Sequence, residues 1–343
     1  MLTSCKNNKN LFIVEGNIPN LTNNNLYVVT TSDDIKIDTV QARLGKFYYK
    51  ASSDSVIPIL IYMEKQSIWM TIWAQNGDDI KIEGDVNCPE LIAVKGNEIN
   101  NLLTEFKSKN HSIIQERCDL VDEKNPDNDA RINDMEQFLK EEAKSFIQKH
   151  PSSVASLVLI QDYLLSSGEQ DSISPYLSMI EGYAKNDRLY KKLTAIVERY
   201  QRTAIGNPAP DFSLISTNND TLTLSNFKNK YLLLTFETSE CDMCDEGYAD
   251  LVAIRKKYSK KQLEMMTVVL NEDRSKWEKM TENKKNSWYQ VVEARTSEMR
   301  SLYNVTTVPY NYLIDEKGLI FAKDISPDSL KHVLKEQLKK VKS

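Results

Sequence analysis

The chain has 343 residues, with 44 Lys and Arg against 49 Asp and Glu and a formal net charge of −5. That length has room for two or three domains, and the mild acidity without a long basic run gives no reason to invoke nucleic acid or an anionic membrane surface as a partner. No stretch approaches the ~18 consecutive apolar residues of a spanning helix, and five cysteines, an odd number, leave at least one without an intramolecular disulfide partner.

Residues 1–10 read as a short polar tether. Within it, Leu2 to Cys5 resembles a bacterial lipobox, whose cysteine becomes the acylated N-terminus after signal-peptide cleavage. The resemblance implies lipidation at Cys5, with the lipid as the only membrane contact. It also implies a place in the bacterial cell envelope, facing the periplasm or on the outer membrane. The alternative is an ordinary cysteine on a frayed terminus.

From 11 to 96 the pattern is of short strands: Leu11 to Ile18, Leu26 to Thr30, Asp38 to Tyr49, Ile57 to Met63, Ile68 to Ala74 and Ile80 to Gly84. Gly, Asn and Asp breakers punctuate them, which argues for an all-β sandwich-like domain. Three features, F-x-I-x-G at Phe12 to Gly16, D-T-V-x-x-x-x-G-K-F at Asp38 to Phe47 and the run from Asn76 to Gly84, resemble the N-terminal β-domain of uncharacterised role in Bacteroidetes lipoproteins. Trp69 and Trp73, four apart, fall on one face of a strand and read as core or sheet surface.

From 97 to 204 apolar residues recur at helical steps, over Ile99 to Leu120 and then Asp134 to Lys149. Ser152 or Ser153 is placed to cap a further helix running to Gly168. Another starts at Pro175, and a last one spans Leu189 to Gln201. These helices form a linking region that either spaces the next domain or builds a homodimer. Cys88 and Cys118 flank the first boundary, and their surroundings favour two separate thiols over a disulfide. His150, at a helix end before Pro151, suits the helix dipole rather than catalysis.

Residues 205–343 carry the chemistry. The apolar run Tyr231 to Phe236 reads as a buried strand, and Cys241-Asp-Met-Cys244 follows where it ends. If a helix starts there, its free N–H groups and dipole favour a thiolate. A second strand follows at Met266 to Leu270, and Leu330, Val333, Leu334 and Leu338 give a terminal helix its apolar face. Trp277, Met280, Trp288 and Val291 read as packing residues of the segment between. The order of Gly206-Asn-Pro-Ala-Pro-Asp-Phe212, the CxxC, Tyr303 to Pro309 and Leu313 to Gly318 resembles the TlpA-like, AhpC/TSA-related group of thioredoxin-fold proteins.

The resemblance implies a multidomain chain ending in an α/β thioredoxin-like domain that acts as a thiol–disulfide oxidoreductase without metal or organic cofactor. Cys241 is then the nucleophile and Cys244 the resolving thiol. Val308 and Pro309 fall where the group has a substrate-facing cis-proline. Partners would be protein disulfides or dithiols and an envelope electron donor or acceptor. The group's two tryptophans near the CxxC are Glu237 and Glu240 here, and its proline before the second cysteine is Met243. The carboxylates of Glu237, Glu240, Asp242, Asp245 and Glu246 oppose a thiolate, so Cys241 is expected to have a higher pKa than the nucleophiles of oxidising relatives. Glu237 and Glu240 would tune the site. The competing readings are a degenerate thioredoxin fold kept for binding, and a peroxiredoxin-like peroxidase, for which Thr238 is in place but the required proline is Leu234. Zinc lacks ligands, with only His111, His150 and His332 in the chain.

Overall fold

The computed structural model describes residues 9–21, 24–31, 35–165, 173–216, 220–238, 241–270, 275, 287–293 and 298–340. Cys5, Glu240, Trp277 and Met280 lie outside the described residues. The chain divides into two compact units, Met1–Thr194 and Ala195–Ser343.

The first unit opens with eight strands: β1 (Phe12–Asn17), β2 (Asn24–Thr31), β3 (Ile35–Ala42), β4 (Lys46–Ala51), β5 (Ile57–Met63), β6 (Ile68–Ala74), β7 (Asp79–Glu83) and β8 (Ala93–Lys95). They form two sheets, ordered β4-β1-β7-β8 and β3-β2-β5-β6. Alternate residues of both sheets, among them Phe12, Val14, Leu26, Ile59, Ile61, Ile72 and Ile80, share one core. This is the expected sandwich. Gly16 pairs with Phe47 across β1 and β4, and a Cβ at Gly16 would lie 2.0 Å from the Phe47 ring. The glycine of one sequence motif is thus the floor on which the phenylalanine of another rests.

The helices that follow are α1 (Glu98–Lys109), α2 (His111–Glu123), α3 (Asp129–Lys149), α4 (Val154–Leu159), α5 (Ser174–Met179) and α6 (Arg188–Arg202). The single helix expected over 99–120 is two, broken at buried Asn110, whose side chain donates to the Phe106 carbonyl at 3.0 Å and so ends α1. Ser153 caps α4, its hydroxyl accepting the Ala155 N–H at 3.2 Å. A π-helical turn, Ile160–Leu165, continues α4.

Helix α1 closes an open side of the sandwich. β6 and β8 are edge strands of the two sheets, and edge strands present unpaired N–H and C=O groups. Buried Asn100 accepts the Trp73 N–H at 3.1 Å and donates to the Trp73 carbonyl at 2.7 Å. One turn later, buried Thr104 accepts the Val94 N–H at 2.9 Å and donates to the Val94 carbonyl at 2.7 Å. The covering helix also explains the tryptophans: Trp73 is buried, whereas Trp69, on the same face, is 58% exposed and stacks on Tyr62.

Cys88 and Cys118 form a disulfide with Cα atoms 5.8 Å apart, not the two separate thiols expected. The reason is tertiary. Cys88 precedes the turn Pro89–Leu91, and Glu90 of that turn pairs with Arg117 of α2 and accepts the Tyr163 hydroxyl. Those polar contacts, with Ile114 and Leu139 packed alongside, lay the turn on α2 and bring the sulfurs together. Closing a loop of this length constrains the unfolded chain by about 3–4 kcal/mol in the chain-entropy picture.

In the second unit, β11 (Tyr231–Glu237), β12 (Leu263–Val269), β13 (Tyr289–Val292), β14 (Tyr310–Ile314) and β15 (Ile320–Lys323) form one sheet ordered β13-β12-β11-β14-β15, behind a small hairpin of β9 (Ser213–Ile215) and β10 (Thr221–Thr223). β11 runs parallel to β12 and antiparallel to β14. Its even-numbered residues face Phe212, Phe227 and Tyr303. Its odd-numbered ones face α7 (Asp242–Lys257) and α9 (Pro327–Lys340). A short α8 (Glu298–Leu302) precedes β14. This is the expected α/β thioredoxin-like domain.

Asn100→Ala leaves the Trp73 N–H buried without its partner, at about 1–3 kcal/mol, while the Trp73 carbonyl keeps the Asn97 amide at 2.8 Å. Urea denaturation of the full chain should show a loss of at least about 1 kcal/mol, against less than about 0.5 kcal/mol for Glu105→Ala on the exposed face of α1.

Candidate functional site

The site begins with β11. Tyr231 to Leu234 and Phe236 are buried, so the strand has no freedom to slide, and its end sets where the next residues emerge. Cys241 is the N-cap of α7, in extended backbone conformation. Its Sγ accepts the Cys244 backbone N–H at 3.2 Å, and its carbonyl accepts the same N–H at 3.0 Å. Cys241 and Cys244 are joined as a disulfide, with Cα atoms 5.2 Å apart. Both are half-buried, while the two residues between them face solvent, Met243 being 67% exposed. A helix N-terminus has unpaired N–H donors and positive dipole character, so a thiolate formed at Cys241 would receive a hydrogen bond already aimed at it.

The Val308–Pro309 peptide is cis. Pro309 is exposed and Val308 half-buried. Tyr310, the next residue, pairs with Phe236, so the cis peptide lies one step past the last register pair, beside the strand end that leads to Cys241. The structure thus brings Cys241, Cys244, Val308, Pro309 and Glu237 to one end of the sheet. Glu237 is the last residue of β11, half-buried, its carbonyl accepting the Leu270 N–H at 2.8 Å.

Beneath α7 lies a polar row. Thr235 shares a hydrogen bond of 2.9 Å with Thr267 on β12, which accepts the indole N–H of buried Trp288 at 2.9 Å. The Trp288 ring in turn packs on Tyr248, one turn beyond Cys244 on α7, with centroids 5.7 Å apart. No carboxylate occupies the strand position below the helix, where a neutral hydroxyl stands instead.

Sequence reasoning missed Glu293. It follows β13, is buried, and accepts the Met299 N–H at 2.6 Å through Oε1, capping α8, while Oε2 has no hydrogen-bond partner. Its N–H donates to the Val269 carbonyl, and Val269 pairs with Glu237, so this acid stands at the CxxC end of the sheet. Nothing in its local sequence marks it, since its burial depends on where α8 docks. Burial pushes its carboxyl up from the ordinary range, and the backbone N–H groups of α8 pull it down less strongly.

Residues 205–323 match the AhpC/TSA family, and residues 12–103 match a domain of unknown function (DUF4369). The chain is 26% identical over 137 residues to the thiol-disulfide oxidoreductase ResA of Geobacillus kaustophilus, covering 40% of this chain and 74% of that protein. It is 25% identical over 161 residues to ResA of Geobacillus thermodenitrificans, covering 47% and 87%. Among solved structures, a thiol-disulfide oxidoreductase from Bacteroides fragilis shares 36% identity over 38% of this chain and 98% of that one, with a TM-score of 0.36. The thioredoxin domain of a thiol-disulfide oxidoreductase from Bacteroides vulgatus shares 25% identity over 39% and 98%, with a TM-score of 0.37.

An acid whose pKa is raised by folding holds its proton more tightly in the native state. Its contribution therefore favours the fold at low pH and is lost as pH rises through the native pKa. For Glu293 that window opens upward from the unfolded value of 4.5. Glu293→Gln keeps an oxygen for the Met299 N–H and removes the charge. Its thermal midpoint should therefore fall less than the parent's between about pH 5 and pH 7, as differential scanning calorimetry would read.

Proposed function

We propose that this chain, which belongs through its C-terminal domain to the TlpA-like, AhpC/TSA-related group of thioredoxin-fold proteins, is a thiol–disulfide oxidoreductase that works through Cys241 and Cys244 on protein disulfides or dithiols in the bacterial cell envelope. One observation carries the reading: Cys241 caps α7 with the Cys244 N–H directed at its sulfur, and the two already form a disulfide.

In the reducing direction, the Cys241 thiolate attacks one sulfur of a client disulfide and the other client sulfur leaves as a thiol. Cys244, losing its proton, then attacks Cys241 in the mixed disulfide, which releases the second client thiol and leaves the Cys241–Cys244 disulfide. Two electrons pass to the client, and a dithiol donor must restore the pair. In the oxidising direction each step reverses and an electron acceptor takes the donor's place. The client would lie as an extended segment against Val308 and cis-Pro309. Glu237 would tune the thiols, and Glu240, outside the described residues, shares that expectation.

An envelope location is supported by the second disulfide, Cys88–Cys118, since such bonds persist in oxidising compartments. Among the described residues no helix is long and apolar enough to cross a membrane. The lipobox-like residues ahead of Cys5 support attachment through lipid on that cysteine.

Equilibrating the full chain in graded dithiothreitol buffers, then alkylating and mapping the thiols, should give a reversible Cys241–Cys244 disulfide with a defined midpoint. Cys244→Ser should accumulate a mixed disulfide with client proteins, and Cys241→Ser should form none. A pair that never closes reversibly would leave a thioredoxin fold kept for binding. Iodoacetamide rates should show Cys241 ionising well above pH 5, because nearby carboxylates disfavour the thiolate; full ionisation at or below about pH 5 would contradict the tuning role.

A further inference from the structure

The two residues enclosed by the CxxC are unlike in purpose. Asp242 and Met243 both face solvent, and at 67% exposure Met243 is a large apolar side chain that packs on little. Core packing therefore does not account for it. Its chemistry differs from that of most exposed residues: a thioether is a soft, polarisable donor. Flanking it are two further sulfurs that converge closely enough to bond. Cys241, Met243 and Cys244 thus place three soft donors within four consecutive residues at one helix end.

Metals sort by donor type. A structural zinc site wants four ligands from Cys, His or carboxylates, and among the described residues no group of three His, Cys, Asp or Glu could hold a metal ion. Thiolate and thioether donors select copper(I) instead. We propose that the reduced Cys241–Met243–Cys244 segment is a copper(I) site, a binding activity separate from disulfide exchange at the same sulfurs.

Formation of the site balances simply. An external dithiol first reduces the Cys241–Cys244 disulfide and is itself oxidised to a disulfide. The two thiols then release two protons as they bind one Cu⁺, whose oxidation state does not change. Two thiolates and one monovalent cation leave a net charge of −1, which the positive end of α7 favours and the neighbouring carboxylates oppose. The Cys244 N–H, shared between the Cys241 carbonyl at 3.0 Å and the Cys241 sulfur at 3.2 Å, is one donor already aimed at the site. Met243, 67% exposed and next in sequence to Cys244, is the further soft donor that the proposal adds to the two thiolates. A loaded pair has both sulfurs committed to metal, so copper(I) blocks exchange until it is removed.

The test is an anaerobic titration of the reduced, desalted full chain with copper(I) against the coloured chelator bicinchoninate. The expected result is one equivalent of copper withdrawn from the chelator by the parent. The Cys241→Ser, Cys244→Ser double variant, which keeps Cys5, Cys88 and Cys118, should withdraw none at that affinity. Met243→Leu should retain both thiols after reduction, as a thiol assay counts, but bind copper at least tenfold more weakly. A parent that takes no more copper than the double variant, while a thiol assay counts two more free thiols, overturns the site and leaves the exchange reading standing. Equal affinity in Met243→Leu overturns the role of the thioether. Copper binding without insulin reduction would instead count against exchange alone.

Discussion

The second unit depends on the burial of a single strand. β11 lies between a parallel and an antiparallel neighbour and is covered on both faces, by Phe212, Phe227 and Tyr303 on one side and by α7 and α9 on the other. Its fully buried leucines and Phe236 each contribute on the order of 1.5–3 kcal/mol. A slip by one residue would exchange the two faces and lose that fit. With the strand locked, the end of β11 fixes where the chain leaves the sheet on its way to Cys241, the N-cap of α7. The cis peptide at Pro309 arrives at the same end because β14 pairs with β11 in fixed register. Precision at the sulfurs is inherited from apolar packing several residues away.

Charge works differently at this end of the sheet. The helix terminus offers donors to a thiolate, while Glu237 and Asp242 supply negative charge close by. Below the helix the structure sets the neutral pair Thr235 and Thr267, tied to Trp288 and through it to Tyr248 on α7. A buried acid at this sheet end, Glu293, spends one oxygen on capping α8.

The first unit has a separate logic. A two-sheet sandwich leaves open edges, and α1 closes two of them with one amide and one hydroxyl placed four residues apart, the spacing that puts side chains on the same helix face. The β-region and its first helix are accordingly one structural unit, in keeping with the match over residues 12–103, which ends inside α1. The Cys88–Cys118 disulfide and the Glu90–Arg117 pair then tie α2 to the same seam.

Much of this was legible in the order of residues. The run Tyr231 to Phe236 announced a buried strand because its neighbours in sequence were all apolar, and the CxxC, Pro309 and the N-terminal strand pattern were visible because each is a local signal. Phe47 and Gly16 were visible as motifs, but not as partners. Asn100, Thr104 and Glu293 were not readable at all, and the pairing of Cys88 with Cys118 was the lesser of two readings. Their roles exist only when a helix docks on a strand edge, or when a break at Asn110 turns α2 back onto residues thirty positions away. Period and composition determine which faces are apolar and where strands and helices start. Which polar group meets which orphaned backbone or sulfur is decided by long-range packing, because that choice depends on distances between segments that no local pattern encodes.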